Sequence, residues 1–93
     1  MIRSFADKKT AAVFVGLRVN AFGPQMQDVA RRKLKFIDAA KAIDDLRAPP
    51  GNRLEKLSGD RAGQWSIRIN DQWRISFRWD SGDAHDVEIS DYH

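Results

Sequence analysis

The stretch that decides the fold is QWSIRINDQWRISFRW, residues 64–79, in which apolar and polar side chains alternate through two runs. The apolar set, which we expect on a buried face, is Trp65, Ile67, Ile69, Trp73, Ile75, Phe77 and Trp79. The polar set, which we expect on the opposite face, is Ser66, Arg68, Asn70, Arg74, Ser76 and Arg78. A period of two residues is typical of a half-buried strand. The stretch therefore predicts two antiparallel strands joined by a turn at residues 70–72.

Further strands are predicted on both sides of this hairpin. Residues 80–83, DSGD, predict a turn, and residues 84–90, AHDVEIS, resume the alternation. We expect its inward side chains to be His85, in a packing role, Val87 and Ile89. We expect its outward side chains to be Asp86 and Glu88. Shorter strands are predicted at residues 2–5, IRSF, and within residues 52–57, NRLEKL.

Two helices are predicted before these strands. Asp7 can cap a first helix that runs from Lys8 to about Val19. A turn follows, and Pro24 suits the first turn of a longer helix that extends to about Leu46. Its apolar stripe is Met26, Ala30, Leu34, Ile37 and Lys41, with Val29 and Ala40 beside it. This spacing predicts that one side of the helix packs against the sheet.

The segment APPG, residues 48–51, separates the helices from the strands, because proline has no amide donor and disfavours helical geometry in the preceding residue. Helices first and hairpin-linked strands afterwards predict an α+β fold, with two N-terminal helices on one face of a mainly antiparallel twisted sheet. A chain of 93 residues, 42% hydrophobic and 31% charged, is long enough for one core. We expect a single domain over residues 1–93.

The composition excludes several classes of site. The chain has no cysteine, which excludes disulfides and thiolate metal sites, and its two histidines are far apart in sequence. We therefore expect no metal and no cofactor. The apolar run AAVFVGL, residues 11–17, is far shorter than the roughly 20 residues of a membrane span, and Arg18 ends it without a cleavage site. We expect a cytoplasmic protein without a membrane partner.

The net charge of +3 is unevenly distributed along the chain. Residues 1–47 hold ten Lys and Arg against five Asp and Glu, a balance of +5, whereas residues 48–93 hold six against eight, a balance of −2. The outward cations of the long helix are Arg31, Arg32, Lys33 and Lys35. Such a basic region is typical of a polyanion partner, although cationic helix faces are also common as solvated surface.

The polar face of the predicted sheet carries a row of arginines, Arg68, Arg74 and Arg78. Planar, permanently charged guanidinium groups suit a phosphate or a developing phosphorane. The alternative is that these side chains pair across strands with Asp86 and Glu88, which gives a solvated face. From the pattern alone, that alternative is favoured.

The C-terminal residues Asp91, Tyr92 and His93 combine a carboxylate, a phenol and an imidazole. A histidine next to such groups can serve as general acid or base. The alternative is an unstructured tail, since chain ends are seldom held in place. Glu55 could act as a base if it faces the arginines, but a strand glutamate is more often solvated.

Residues 49–93 resemble the HigB-type toxins of the RelE/ParE superfamily, also called plasmid maintenance system killer proteins. The resemblance is carried by PPGNRLE, by GDRAGQWSIRINDQWRI, by the turn at Gly82 and Asp83, and by the terminal DYH. The opening MIRSF and the two-helix segment also fit, so that the resemblance extends over nearly the whole chain.

The resemblance implies a small cytoplasmic toxin that cleaves messenger RNA in the decoding site of the 70S ribosome. Such a toxin is held inactive by a helix-turn-helix antitoxin of the HigA type, and it meets operator DNA only through the antitoxin complex. The implied reaction needs no metal. A ribose 2′-hydroxyl attacks the adjacent phosphate and leaves a cyclic phosphate and a free 5′-hydroxyl.

The resemblance also implies roles for individual residues. Those expected to carry the reaction are Arg74, Asp91, Tyr92, His93 and Glu55. Those expected to bind RNA or the ribosome are Arg31, Arg32, Lys33, Lys35, Arg53, Lys56, Arg61, Arg68 and Arg78. This chain departs from some relatives, which have a histidine in place of Glu55 and a lysine near Ser58, so the assignment of acid and base stays open.

Two other functions remain open at this point. A ParE-like toxin shares the fold but blocks DNA gyrase and cuts no RNA, and the terminal DYH argues against it. An RNA-binding regulatory module would use the same arginine row without catalysis.

Overall fold

Two helices and a four-stranded sheet make up the computed structural model, which describes residues 1–91. The helices are Lys8–Phe14 (α1) and Pro24–Ala39 (α2), and the strands are Glu55–Lys56 (β1), Gln64–Arg68 (β2), Trp73–Asp80 (β3) and Asp83–Asp91 (β4). Short 3₁₀ helices lie at Ile43–Arg47, Pro50–Asn52 and Gly59–Arg61. The sheet is antiparallel with the order β1-β2-β3-β4. The predicted α+β class is confirmed.

The core lies between the helices and one face of the sheet. From α2 it receives Met26, Ala30, Leu34 and Ile37 of the predicted stripe. Lys41, also predicted in the stripe, lies beyond the end of the helix and is exposed. From the strands and the turn after β2 it receives Ile67, Ile69, Ile75, Phe77, Ala84, Val87 and Ile89. The three tryptophans are partly buried against this cluster. The alternation in residues 64–79 therefore assigns the inner face of the sheet correctly.

The first helix begins as predicted and ends earlier. The carboxylate of Asp7 accepts a hydrogen bond from the Thr10 amide at 2.8 Å, which caps the helix. The helix ends at Phe14 and not near Val19, because Gly16 adopts a φ of +90°, which is incompatible with a right-handed helix. Val15 and Leu17, in the apolar run of residues 11–17, consequently lie largely in solvent.

The second helix also ends earlier than predicted, at Ala39 and not near Leu46. The carboxylate of Asp45 accepts hydrogen bonds from the amides of Lys41 at 2.9 Å and Ala42 at 3.1 Å. These bonds start a separate 3₁₀ helix and lower the pKa of Asp45. A local side-chain acceptor thus replaces the continued helix.

Residues 1–6 run beside β4, but they do not form the predicted strand. Isolated parallel bridges join Ile2 to Ala84 and Phe5 to Val87. Between them β4 has a bulge, where Asp86 adopts a φ of 54° and the pairing with β3 shifts register. The bulge interrupts the alignment that a continuous strand would need.

The same bulge overturns the prediction for His85. Ahead of it, Ala84 pairs with Trp79 and is fully buried, whereas His85 pairs with Arg78. Paired residues of antiparallel strands lie on the same face. His85 therefore belongs to the outer face and does not pack in the core.

The strand predicted within residues 52–57 is confined to two residues, Glu55 and Lys56, which pair with Ser66 and Trp65. The segment between β1 and β2 contains the 3₁₀ helix Gly59–Arg61. Within residues 1–91, no helix is both long and apolar enough to cross a bilayer.

Candidate functional site

The outer face of the sheet, opposite the helices, brings the polar side chains of all four strands into two adjacent rows. One row runs across the strands through Glu55, Ser66, Ser76 and Glu88. The other row runs through Arg68, Arg74 and Ser90. Because these residues pair directly across neighbouring strands, carboxylates, hydroxyls and guanidinium groups lie side by side.

Arg74 lies at the centre of this face and is buried, with only 6% of its surface exposed. Its Nε donates to the Ser66 hydroxyl at 2.8 Å, and one terminal nitrogen donates to the Arg53 carbonyl at 2.8 Å and to the Ser66 carbonyl at 3.3 Å. These acceptors fix the orientation of the guanidinium group. A cation held in this way does not need to reorganise when a negative charge develops beside it.

Glu55 supplies the nearest carboxylate. Its Oε2 lies 3.7 Å from a terminal nitrogen of Arg74, and half of its side chain is exposed. The short strand β1 places it here, because Glu55 pairs with Ser66. A solvent-accessible carboxylate and a fixed guanidinium group therefore share one position on the sheet.

Two cavities meet at Glu55 and Arg74. The first, of about 170 Å³, is lined by Arg53, Glu55, Arg68, Asn70, Asp71 and Arg74. The second, of about 350 Å³, is lined by Glu55, Leu57, Arg61, Ser66, Arg74, Ser76, Ser90 and Asp91. The structure thus brings together six of the residues that the sequence nominated: Arg53, Glu55, Arg61, Arg68, Arg74 and Asp91.

Arg61 forms a wall of the second cavity by reaching across the sheet. One of its terminal nitrogens donates to Ser76 at 2.9 Å and to Gln64 at 3.2 Å, and the other lies 3.3 Å from the Glu88 carboxylate. The 3₁₀ helix Gly59–Arg61 is thereby tied to β3 and β4. Arg61 is therefore an ion-pair partner of Glu88. The sequence had predicted that an arginine of the row would take this place.

The other two arginines of the row, Arg68 and Arg78, form ion pairs with nearby carboxylates. Arg68 forms an ion pair with Asp71 in the turn between β2 and β3. Arg78 lies 3.5 Å from Asp86, as the solvated alternative anticipated. Within residues 1–91, Arg78 does not line either cavity. The row therefore divides into Arg68 and Arg74 at the cavities and Arg78 outside them.

The cations of α2 belong to the helical layer, which packs on the inner face of the sheet, opposite the outer face that carries the cavities. Arg31, Arg32 and Lys35 are exposed there. Lys33 is half-buried and donates to Asn52. Burial, and then the charges of Arg32 and Arg68, lower the pKa of Lys33 from its ordinary value. Lys33 is thus the half-buried member of this group, and the charge of Arg68 acts on its ammonium group.

Lys56 lies apart from the cavities. Its ammonium group is 5.8 Å from the centre of the Trp65 ring, with which it is paired across β1 and β2. The C-terminal group is represented by Asp91, whose carboxylate accepts a hydrogen bond from Gln72 at 3.3 Å and which lines the second cavity. Tyr92 and His93 lie outside the described residues, and their predicted roles stay predictions.

Sequence reasoning missed the buried polar residues around Arg74. Ser66 and Ser76 are almost fully buried, although the alternation assigned them only to an outward face. Asn52 is also fully buried, next to the Pro-Pro-Gly segment. The sequence does contain a signal for this cluster, because a serine lies two residues from an arginine on the polar face of each of these two strands. Among residues 1–91, no three His, Asp or Glu side chains lie close enough to hold a metal ion together.

Comparisons with known sequences give a consistent result. A family model described as the RelE-like toxin of type II toxin-antitoxin system HigB matches residues 3–93. Endoribonuclease HigB of Proteus vulgaris is 36% identical over 93 residues, which covers 100% of both chains. Toxin HigB-1 of Vibrio cholerae serotype O1 is 55% identical over 53 residues, and this match spans 57% of the chain and 56% of that protein.

Solved structures with the same fold come from proteins of low sequence identity. A chain of the YoeB-YefM complex from Staphylococcus aureus matches with a TM-score of 0.63 and 18% identity over 100% of this chain and 98% of that one. A YoeB/ParE toxin from Agrobacterium tumefaciens matches with a TM-score of 0.51 and 19% identity over 99% and 100%. At these identities the likeness establishes the arrangement of helices and strands.

Proposed function

We propose an RNA-cleaving activity for this chain, which belongs to the HigB-like family of RelE-like toxins from type II toxin-antitoxin systems. The protein is an endoribonuclease that cuts messenger RNA in the translating ribosome and acts in the cytoplasm, where that substrate is found. The Proteus vulgaris relative, matched along its whole length, is named an endoribonuclease. That name and the geometry around Arg74 support the proposal.

The single observation that carries the proposal is the buried guanidinium group of Arg74 beside the Glu55 carboxylate, at the junction of two cavities. Cleavage by a ribose 2′-hydroxyl needs a fixed positive charge for the phosphorane and a nearby group that takes a proton. Arg74 and Glu55 line both cavities, where an RNA phosphate could reach them from solvent. The described part of the chain thus holds the electrostatic half of the reaction.

The proposed mechanism needs no metal. Arg74 stabilises the charge of the phosphorane, and Glu55 takes the proton from the 2′-hydroxyl. His93 or Tyr92 returns a proton to the leaving 5′-oxygen, while Asp91 orients these neighbours. The products are a 2′,3′-cyclic phosphate and a 5′-hydroxyl, which balances the two proton transfers.

RNA binding is assigned to the cations around this site. Arg53, Arg61 and Arg68 line the cavities, and Lys33 lies close to Arg68. A second set, which extends the positive surface over other faces, is Arg31, Arg32, Lys35, Lys56 and Arg78. Because such contacts release counterions, binding to ribosomal RNA and messenger RNA weakens as salt increases.

Membership of a toxin-antitoxin family implies an antitoxin as partner, and the neighbouring Staphylococcus aureus toxin was solved in a complex with YefM. We propose that the antitoxin here is of the helix-turn-helix HigA type. On this proposal the toxin reaches operator DNA only as part of the antitoxin complex.

The proposal is tested by incubating purified protein with messenger RNA, with and without 70S ribosomes, and mapping new 5′ ends by primer extension. We expect breaks that require ribosomes, and we expect Arg74→Ala to reduce the cleavage rate by about 10²–10³-fold. Cleavage of naked RNA would retain the nuclease and overturn its dependence on ribosomes. Absence of cleavage under both conditions would overturn the nuclease itself.

The competing functions are separated by a second experiment. A double variant, Tyr92→Phe with His93→Gln, is expressed without antitoxin and growth is followed. We expect toxicity to be lost while the protein remains folded. Full toxicity in this variant would point to an inhibitor that acts by binding, such as a ParE-like gyrase inhibitor or an RNA-binding module.

A further inference from the structure

Asn52 connects three segments behind the first cavity, and its side chain is fully buried. Its Oδ1 accepts a hydrogen bond from the ammonium group of Lys33 on α2. Its Nδ2 donates to the carbonyls of Leu46 at 3.2 Å and Ala48 at 3.1 Å. A buried amide with partners for both its oxygen and its nitrogen has a fixed orientation, because any rotation would leave polar groups unpaired.

The backbone after Asn52 leads directly to Arg74. The backbone N–H of Asn52 donates to the Pro49 carbonyl at 2.9 Å, and the backbone N–H of Arg53 donates to the Pro50 carbonyl at 3.2 Å. Arg53 then adopts a left-handed conformation, with φ of 45° and ψ of 57°. This conformation is unusual for a residue other than glycine, and neighbouring contacts have to hold it. The result is that the Arg53 carbonyl lies 2.8 Å from a terminal nitrogen of Arg74.

We propose that Asn52 is a positioning residue for Arg74: its buried amide, held by Lys33, fixes the turn whose Arg53 carbonyl orients the Arg74 guanidinium group. This inference rests on the proposed nuclease function and extends it to a residue that touches neither cavity within residues 1–91. Asn52 acts on the rate of the chemical step and not on the affinity for RNA.

Ser66 in β2 supplies two of the acceptors on Arg74, and this turn supplies another. The Ser66 hydroxyl accepts from Nε, and the Ser66 carbonyl accepts from the same terminal nitrogen that donates to Arg53, so the group stays on the outer face even if the turn moves. The Arg53 carbonyl is the acceptor that depends on a segment outside the sheet. Loss of the Asn52 amide therefore misplaces the guanidinium group without removing it. A misplacement of about 1 Å is enough to cost on the order of 10²-fold in rate.

The charges around Lys33 fit the same arrangement. Its ammonium group is half-buried and lies near Arg32 and Arg68, a position that is unfavourable for a third cation. The Asn52 oxygen offsets that cost with a charge-assisted hydrogen bond. Lys33 and Asn52 thus stabilise each other, and substitution of either is expected to loosen the turn.

The experiment is a double-mutant cycle between Asn52→Ala and Arg74→Ala, measured as single-turnover cleavage on ribosomes. In the otherwise unsubstituted protein, Asn52→Ala is expected to lower the maximal rate by about 10²-fold with little change in the half-saturating concentration. In the Arg74→Ala background the same change is expected to have almost no effect, because residues that act through one another are not additive. An equal loss in both backgrounds, or no loss in either, would overturn the inference.

A spectroscopic readout makes the test independent of cleavage. The signal of the terminal N–H group of Arg74 that donates to the Arg53 carbonyl is assigned in a ¹H–¹⁵N spectrum. Its exchange with water is expected to accelerate in Asn52→Ala and to stay slow in the matched control Asn20→Ala, an exposed asparagine of the turn before α2. An unchanged Arg74 signal in folded Asn52→Ala contradicts the inference. If the unsubstituted protein cuts no RNA, the proposed function fails, whereas the Arg74 signal still decides the contact.

A second variant covers the case in which Asn52→Ala does not fold. Lys33→Met removes only the ammonium group that holds the amide oxygen, and it takes the place of Asn52→Ala in the same cycle. It is expected to lower the maximal rate. Lys9→Met, which removes the same charge from an exposed position of α1 that has no assigned role in RNA binding, is expected to leave that rate unchanged. Equal behaviour of the two lysine variants would overturn the inference.

Discussion

The two faces of the sheet are nearly equally buried at their centres, yet they are buried by different means. On the inner face, Ile75 and Phe77 are fully enclosed by apolar side chains. On the outer face, Ser66, Arg74 and Ser76 are 2–6% exposed and are enclosed by hydrogen bonds from β2 and from Arg53 and Arg61. Apolar burial tolerates many sequences of similar volume, whereas polar burial requires a partner for each atom. The inner face therefore sets stability, and the outer face sets the position of charge.

The largest expected effect breaks the inner face. Phe77→Ala removes a fully buried ring that contacts Trp79, with centroids 6.3 Å apart. The lost burial and the remaining cavity are expected to lower the free energy of unfolding by about 3–5 kcal/mol, measured by urea denaturation. The control Leu17→Ala, at a side chain that is 62% exposed, is expected to change it by less than about 0.5 kcal/mol. Similar losses in both variants would contradict the packing described for this face.

A smaller effect is expected from the outer face, and it falls on two observables together. Ser66→Ala removes the hydroxyl that accepts from the buried Arg74 Nε, at an expected cost of about 1–3 kcal/mol in unfolding free energy. The rate of RNA cleavage is expected to fall in the same variant, because Arg74 is no longer fixed. Ser58→Ala, at an exposed position, serves as the control for both measurements. If Ser66→Ala lowered the unfolding free energy but kept the full cleavage rate, the outer face would contribute to stability alone, as the inner face does.

The smallest effect concerns an exposed contact outside both faces. The hydrogen bond from Arg3 lowers the pKa of Asp83, which also lies 3.4 Å from the N-terminal ammonium group. Because the folded-state pKa lies below the unfolded value of about 3.9, the stabilisation is present above that value and is lost as the pH falls through the folded-state pKa. Asp83→Asn is expected to flatten this acid-side decline in urea midpoint, with Asp60→Asn as the control. A decline of unchanged steepness in Asp83→Asn would exclude Asp83 as its source.

The difference between the faces also explains what sequence reasoning could predict. The period of two residues in residues 64–79 is a local property, and it assigned strand residues 65–68 and 73–79 to the correct face. The burial of Arg74 depends on the Arg53 carbonyl, 21 residues earlier, and on a turn held by Asn52. Such contacts leave no periodic trace, so alternation predicted an arginine in solvent where the structure has a fixed one.

The ends of the elements were predicted less well for a related reason. Helical spacing continues from α2 toward Leu46, but Asp45 captures the amides of Lys41 and Ala42 and starts a new turn. Likewise, alternation in residues 84–90 ignores the bulge at Asp86, which moves His85 to the other face. In both places one residue with a local alternative overrides a pattern averaged over many.

The docking of residues 1–6 and of α1 onto β4 determines when the molecule can be completed. Arg3 and Ala6 donate to carbonyls of β4, and the Thr10 hydroxyl accepts from the Ile89 amide, 79 positions further along the chain. During synthesis the first residues leave the ribosome long before their partners exist. Their hydrogen-bond partners on β4 become available only after that strand has left the ribosome. The order of synthesis thus delays assembly of the finished fold until β4 has been made.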